Sequence, residues 1–188
     1  MSGLRESKNH IKTTVTLAIS VHNGTVIDFE TTGIPGKDKD HEAITLGYLH
    51  GSELVIIQRK TKEKALFYEE LREMLQGLPR PFYAYNAKFE RSMMEVELGV
   101  RVDDQAFVDL MHPWSQKADQ HGLKWPKLDE LMSEPGGYFK ENKVSGKDIP
   151  GLWKAYIDTG DESKLQTIMQ HCLSDVLRAA ILLIRYQP

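Results

Sequence analysis

The stretch Val26-Ile27-Asp28-Phe29-Glu30-Thr31-Thr32-Gly33 constrains the fold more than any other part of this 188-residue chain. It is an apolar run carrying two carboxylates two residues apart. Side chains alternate along a strand, so Asp28 and Glu30 share one face while Ile27 and Phe29 share the other. Carboxylates that close repel each other unless a positive group lies between them, and a hard divalent cation with oxygen ligands fills that role. An edge strand with a solvated acidic face is the competing reading of an isolated Asp-x-Glu. Here Thr31-Thr32-Gly33 takes the chain out of the sheet at once, and strand-end loops are where α/β sheets gather ligands.

The rest of the pattern fits an α/β domain. Alternating apolar runs predict strands over 13–21 and 25–31, joined by the tight turn Asn23-Gly24, then over 43–48 and 54–60, turned by His50-Gly51-Ser52. Helical spacing follows, with Phe67, Leu71, Met74, Leu75 and Leu78 on one face, until Pro79-Arg80-Pro81 stops it. A short strand at 82–85, a helix at 88–98 with Met93 and Met94 as core filler, and a strand at 105–110 come next. The last helix, 162–186, carries an apolar stripe at Leu165, Met169, Cys172, Val176, Ala180 and Leu183. His171 and Asp175 lie one turn apart on the shoulder of that stripe. An antiparallel meander followed by strand–helix alternation makes a layered α/β domain, with residues 1–188 as one domain and 1–12 as a disordered tail.

A chain of this length buries roughly 70% of its unfolded surface without staples. The single Cys172 excludes an intrachain disulfide framework and fits a reducing compartment; residues 1–14 are polar and carry no apolar leader core. A cytoplasmic protein is the expectation. The longest apolar run, at 179–184, is too short to cross a bilayer. The net charge of −3 argues against tight, non-specific duplex binding. There is no G-x-S-x-G, phosphate-binding loop, G-x-G-x-x-G or C-x-x-C.

Three segments together resemble the DEDD (DnaQ-like) superfamily of 3′–5′ exonucleases, which share a ribonuclease H-like fold. Asp28 to Gly33 (DFETTG) reads as its first motif, Tyr85 to Glu90 (YNAKFE) as a variant of its second, and His171 to Val176 (HCLSDV) as its third. The branch most similar is the proofreading domain of family B DNA polymerases, whose third motif is a tyrosine, a cysteine, two variable residues and Asp-Val. The resemblance covers roughly residues 25 to 187 and implies a mixed five-stranded sheet flanked by helices. Two positions depart from the pattern. Glu90 stands where the second motif usually carries Asp. His171 stands four residues before Asp175, the spacing of the tyrosine branch.

The resemblance implies metal-dependent phosphodiester hydrolysis of single-stranded DNA or RNA, from the 3′ end. Asp28, Glu30, Glu90 and Asp175 would hold two Mg²⁺ or Mn²⁺ ions about 4 Å apart. His171 would accept the water's proton, with an apparent pKa between about 6 and 7. Thr31, Thr32 and Asn86 would contact the terminal nucleotide. The alternative is an exonuclease-fold module that binds nucleic acid or a partner protein but cuts poorly, motivated by Glu90, the hybrid third motif and the acidic balance. A homodimer is left open. Between residues 112 and 160, Trp114, Trp125 and Trp153 interleave with lysines including Lys117, Lys124, Lys127, Lys140, Lys143 and Lys147. That texture suits a nucleic-acid strand and equally suits short helices packed through their tryptophans.

Overall fold

Two long strands carry the sheet of this computed structural model, which describes residues 2–35, 37–39, 41–132 and 144–185. They are β2 (His10–Thr31) and β3 (Ala43–Arg59), joined by β1 (Ser2–Glu6), β4 (Phe82–Ala84) and β5 (Phe107–Asp109). β2 pairs antiparallel with β1 and β3, and parallel with β4, which pairs parallel with β5. The mixed sheet expected from the sequence is therefore present.

β3 is continuous in its backbone yet doubles back. Thr45 Oγ1 donates to Gln58 Oε1 at 2.5 Å, and Gln58 Nε2 donates to the Ile44 carbonyl at 3.0 Å. In a straight strand those positions would stand about 43 Å apart, at about 3.3 Å per residue. The reversal falls at His50-Gly51-Ser52, where Gly51 takes φ +55°. β2 flanks the hairpin on both sides: His10–Thr16 pairs with Glu53–Arg59, and Val26–Thr31 with Ala43–Leu49. These halves are the strands read separately at 13–21, 25–31, 43–48 and 54–60.

The first residues do not form a tail. Ser2–Glu6 pairs with Ile11–Val15. Ser7 Oγ closes the turn by accepting the N–H groups of Asn9 and His10 at 3.2 and 3.0 Å, and Lys60 pairs with Glu6. The polarity that suggested a tail belongs to a solvated hairpin.

Helices cover both faces. α1 (Ala65–Gly77) buries Phe67, Leu71 and Leu75; α2 (Ala87–Ser92) continues into a π-helical turn, Met93–Glu97, with Met93 and Met94 fully buried. Both pack with Ile27 and Phe29 in one core cluster. α3 (His112–Gln120), α4 (Leu128–Leu131) and α5 (Ile149–Thr159) lead to α6 (Glu162–Arg185). Val176, Ala180 and Leu183 of α6 pack with Val26, Leu49 and Leu54 in a second cluster. By alternation Asp28 and Glu30 follow Val26 onto the α6 face. By length and composition α6 could cross a bilayer, which the short run at 179–184 did not reveal, but half of its most apolar window is buried inside the protein.

Of the three tryptophans, Trp153 is buried, Trp114 is half-buried and Trp125 is exposed. Lys140 and Lys143 lie outside the described residues.

Candidate active site

The site begins with a close approach of helix to sheet. Gly47 is the sheet partner of Asp28. A Cβ on Gly47 would lie 2.6 Å from Cys172 Sγ and 2.8 Å from Val176 Cγ2, so α6 rests directly on the strand there. With Cys172 and Val176 seated, His171 and Asp175 are held on the shoulder of α6 beside the carboxylates of β2. His171 Nδ1 lies 2.6 Å from Glu30 Oε1 and 3.7 Å from Asp175 Oδ2. Arg178 Nη1 donates to Asp175 Oδ1 at 2.9 Å. The Cys172 thiol donates to the Asp28 carbonyl at 3.7 Å.

Glu90 arrives from the other side of the sheet's end. β4 stops early, its last residue paired to β2 being Tyr83 opposite Val26, and the Phe29 N–H beyond it lies close enough to the Glu90 carboxylate to favour its charged form. The turn from β4 into α2 runs through Asn86 at φ +69°, a left-handed conformation that asparagine tolerates better than most side chains. Asp109, at the end of β5, fixes this turn by accepting the N–H groups of Asn86 and Met111 at 3.1 and 2.9 Å.

Burial and mutual repulsion dominate the electrostatics. Glu30 and Glu90 are only 5% and 3% exposed. Burial pushes the Asp28 carboxyl well above the usual carboxylate range, and the charges of Glu30, Glu90 and Asp175 push it the same way. Burial likewise raises Glu90, reinforced by Glu30. Burial raises Glu30 and Asp175, opposed by His171 at both and by Arg178 at Asp175. For His171, burial favours the neutral ring, but the bond to Glu30 outweighs it and holds the imidazole above its ordinary range. The expectation of a histidine titrating between about 6 and 7 therefore moves upward.

The structure thus gathers Asp28, Glu30, Glu90, His171 and Asp175 in one place. Thr31 and Thr32 brace the loop after β2: Thr31 Oγ1 donates to the Gly33 carbonyl at 2.6 Å, and Thr32 Oγ1 accepts the Glu42 N–H at 2.9 Å. Asn86 is exposed at the head of α2. A cleft of 440 Å³ lies along the same helix, lined by residues that include Lys88, Arg91, Phe107 and Asp109. Sequence reading placed Cys172 on the apolar stripe of the last helix, where it is buried, and missed Gly47, Asp109 and Arg178. Only Arg178 left a trace, its i+3 spacing from Asp175.

Asp28 Oδ2 and Glu90 Oε2 are buried with no hydrogen-bond partner. An unsatisfied buried oxygen is costly, and two on neighbouring carboxylates fit a bound cation. Ligand atoms of Asp28, Glu30 and Cys172 lie within 4.8 Å of one another. A family model described as the RNase H superfamily matches residues 25–186. The chain belongs to the RNase H superfamily. No curated protein and no solved structure matches it. Its fold is nuclease-type and implies nucleic-acid binding, nucleases of the superfamily use divalent metals, and the carboxylates of Asp28 and Glu30 offer oxygen ligands to such an ion.

Proposed function

We propose that this RNase H superfamily chain is a metal-dependent 3′–5′ exonuclease of the DEDD type, acting on single-stranded DNA or RNA. One observation carries the reading: two buried, unpartnered carboxylate oxygens, on Asp28 of β2 and Glu90 of α2, beside Glu30 and Asp175. Asp28, Glu30, Glu90 and Asp175 would hold two Mg²⁺ or Mn²⁺ ions. Bound there, the ions supply an activated water and neutralise charge on the departing 3′ oxygen. His171 commits Nδ1 to Glu30, which leaves Nε2 to take the water's proton. Arg178 orients Asp175 through their 2.9 Å bond. Thr31, Thr32 and Asn86 stand at the loop and turn that would meet the terminal nucleotide.

A second reading has its own observation. Glu30 and Asp175 already carry protein cations, His171 and Arg178. That partial neutralisation lowers the gain from binding metal and favours a module that grips nucleic acid and cuts slowly. Degradation of 5′-labelled single strands, duplexes and RNA with Mg²⁺ or Mn²⁺, read on a sequencing gel, separates the two. Progressive shortening from the 3′ end, abolished by chelator, is the expected result. Intact strands with retained binding would favour the second reading.

A further inference from the structure

The loop joining α3 to α4, His121-Gly122-Leu123-Lys124-Trp125-Pro126-Lys127, holds two large apolar side chains in water. Leu123 is 66% exposed and Trp125 49%. The loop is nevertheless tied down. The Leu123 N–H donates to the Ala118 carbonyl at 2.8 Å, Trp125 Nε1 donates to Asp119 Oδ1 at 2.7 Å, and the Tyr85 hydroxyl donates to the Pro126 carbonyl at 2.6 Å. The indole is therefore held by its N–H edge while half its surface stays open.

Its position and surroundings indicate a role. Tyr85, which anchors the loop, directly precedes Asn86 and the helix carrying Glu90. The loop runs straight into α4, whose Asp129 is close enough to disfavour charge on Asp175. Lys117, Lys124 and Lys127 are exposed, and among the described residues no acid pairs with their ammonium groups. Asp119 holds the N–H edge of the indole and Asp129 and Glu130 open α4, so the cations this loop offers to phosphates are Lys124 and Lys127, which flank Trp125 in sequence and are exposed. A duplex hides its base faces in its own stack, and only an unpaired base can lie on the indole.

We propose that Trp125 is a stacking platform for an unpaired base of a single-stranded nucleic acid, with Lys124 and Lys127 meeting the adjacent phosphates. Its place beside the acidic cluster rests on the nuclease reading above, but its binding is measurable without cleavage.

The test is fluorescence anisotropy with the full chain, in chelator, on labelled DNA and RNA single strands of about a dozen nucleotides and on a blunt duplex. Trp125→Ala should weaken single-strand binding by about 5- to 100-fold, leave duplex binding unchanged, and melt with the wild type because the ring is exposed. Trp125→Phe should restore most of the affinity. The Lys124→Gln, Lys127→Gln double variant should reduce the slope of log K against log salt by about 1.4, near 0.7 per lost phosphate contact. Unchanged single-strand binding in Trp125→Ala, an equal loss on duplex, or a wild type that binds no single strand would each overturn the proposal. Trp125-dependent binding without cleavage keeps the platform and removes the nuclease reading; cleavage with binding indifferent to Trp125 does the reverse.

Discussion

Arg59 and Glu90 are both almost wholly removed from solvent, at 0% and 3% exposed, and both leave buried polar atoms without a hydrogen-bond partner, Nε and Nη1 of Arg59 and Oε2 of Glu90, but the protein supplies a counter-charge only to Arg59. Arg59 Nη2 bonds Glu42 Oε2 at 2.7 Å, and its guanidinium lies 4.8 Å from the centre of the Trp153 ring. Lys64 adds a second cation to Glu42 at 3.3 Å. Partial burial works against the Glu42 charge, yet the Arg59 and Lys64 bonds hold its carboxyl below the usual range. Glu90 is repelled by Glu30, Asp175 and Asp109, and the nearby Phe29 N–H offsets this only in part. Where the counter-charge is built into the chain, burial fastens β3 to α5. Where it is missing, the fold holds repulsion that a cation from outside would relieve.

The most severe break in this contrast is Asp28→Asn. It removes a carboxylate at the centre of the acidic cluster, and turnover in the degradation assay should fall by about 10³-fold or more, with the fold intact by circular dichroism. An active Asp28→Asn enzyme would place the chemistry elsewhere.

Arg59→Met attacks the compensated region. It strips Glu42 of its strongest partner and should cost about 2–3 kcal/mol, a fall in Tm of roughly 4–12 °C by calorimetry. A variant as stable as the wild type would show that the pair only breaks even against packing.

Glu90→Gln should move stability the other way. The raised pKa values of Asp28 and Glu90 mean that the folded state binds more protons than the unfolded one above the ordinary carboxylate range. Stability of the metal-stripped protein should therefore fall as pH rises through the folded-state pKa values, and recover as pH drops toward the unfolded ones. Glu90→Gln removes part of that penalty: its Tm should exceed the wild type's by a few degrees near pH 8, about 2–4 °C per kcal/mol, and converge with it near pH 5. A lower Tm at pH 8 would mean that the carboxylate is satisfied after all.

The smallest expected effect concerns Glu30, one of the two carboxylates of the acidic cluster that carry a cation from the protein itself. His171 is raised by Glu30, so its charge adds stability at low pH that is lost as pH rises through the folded-state value. In metal-stripped protein, Glu30→Gln should lower the His171 titration midpoint, followed by NMR of the ring protons. An unmoved midpoint would make the 2.6 Å contact energetically idle.

How much of this was legible in sequence depended on whether the signal was local. Asp28 and Glu30 could be placed on one face because strand alternation is a property of the backbone, and His171 and Asp175 because helical periodicity is. The tail expected over residues 1–12 failed because a polar hairpin and a polar tail have the same composition; only the pairing of Ser2–Glu6 with Ile11–Val15 tells them apart. Arg59 gave no sign of being buried, since its partners Glu42 and Trp153 come from distant parts of the chain.

The sequence by itself determined the α/β pattern, the carboxylates and membership of the RNase H superfamily, because these rest on residue type and short-range period. The tertiary structure decided which charges meet. Gly47 lets α6 lie against β3, and His171 stands 2.6 Å from Glu30 and 3.7 Å from Asp175. The early end of β4 leaves the Phe29 N–H near Glu90, and the fold leaves Glu90 Oε2 with no partner. Pairing of charge is a through-space quantity that falls with distance and rises with burial, and neither distance nor burial is written along the chain.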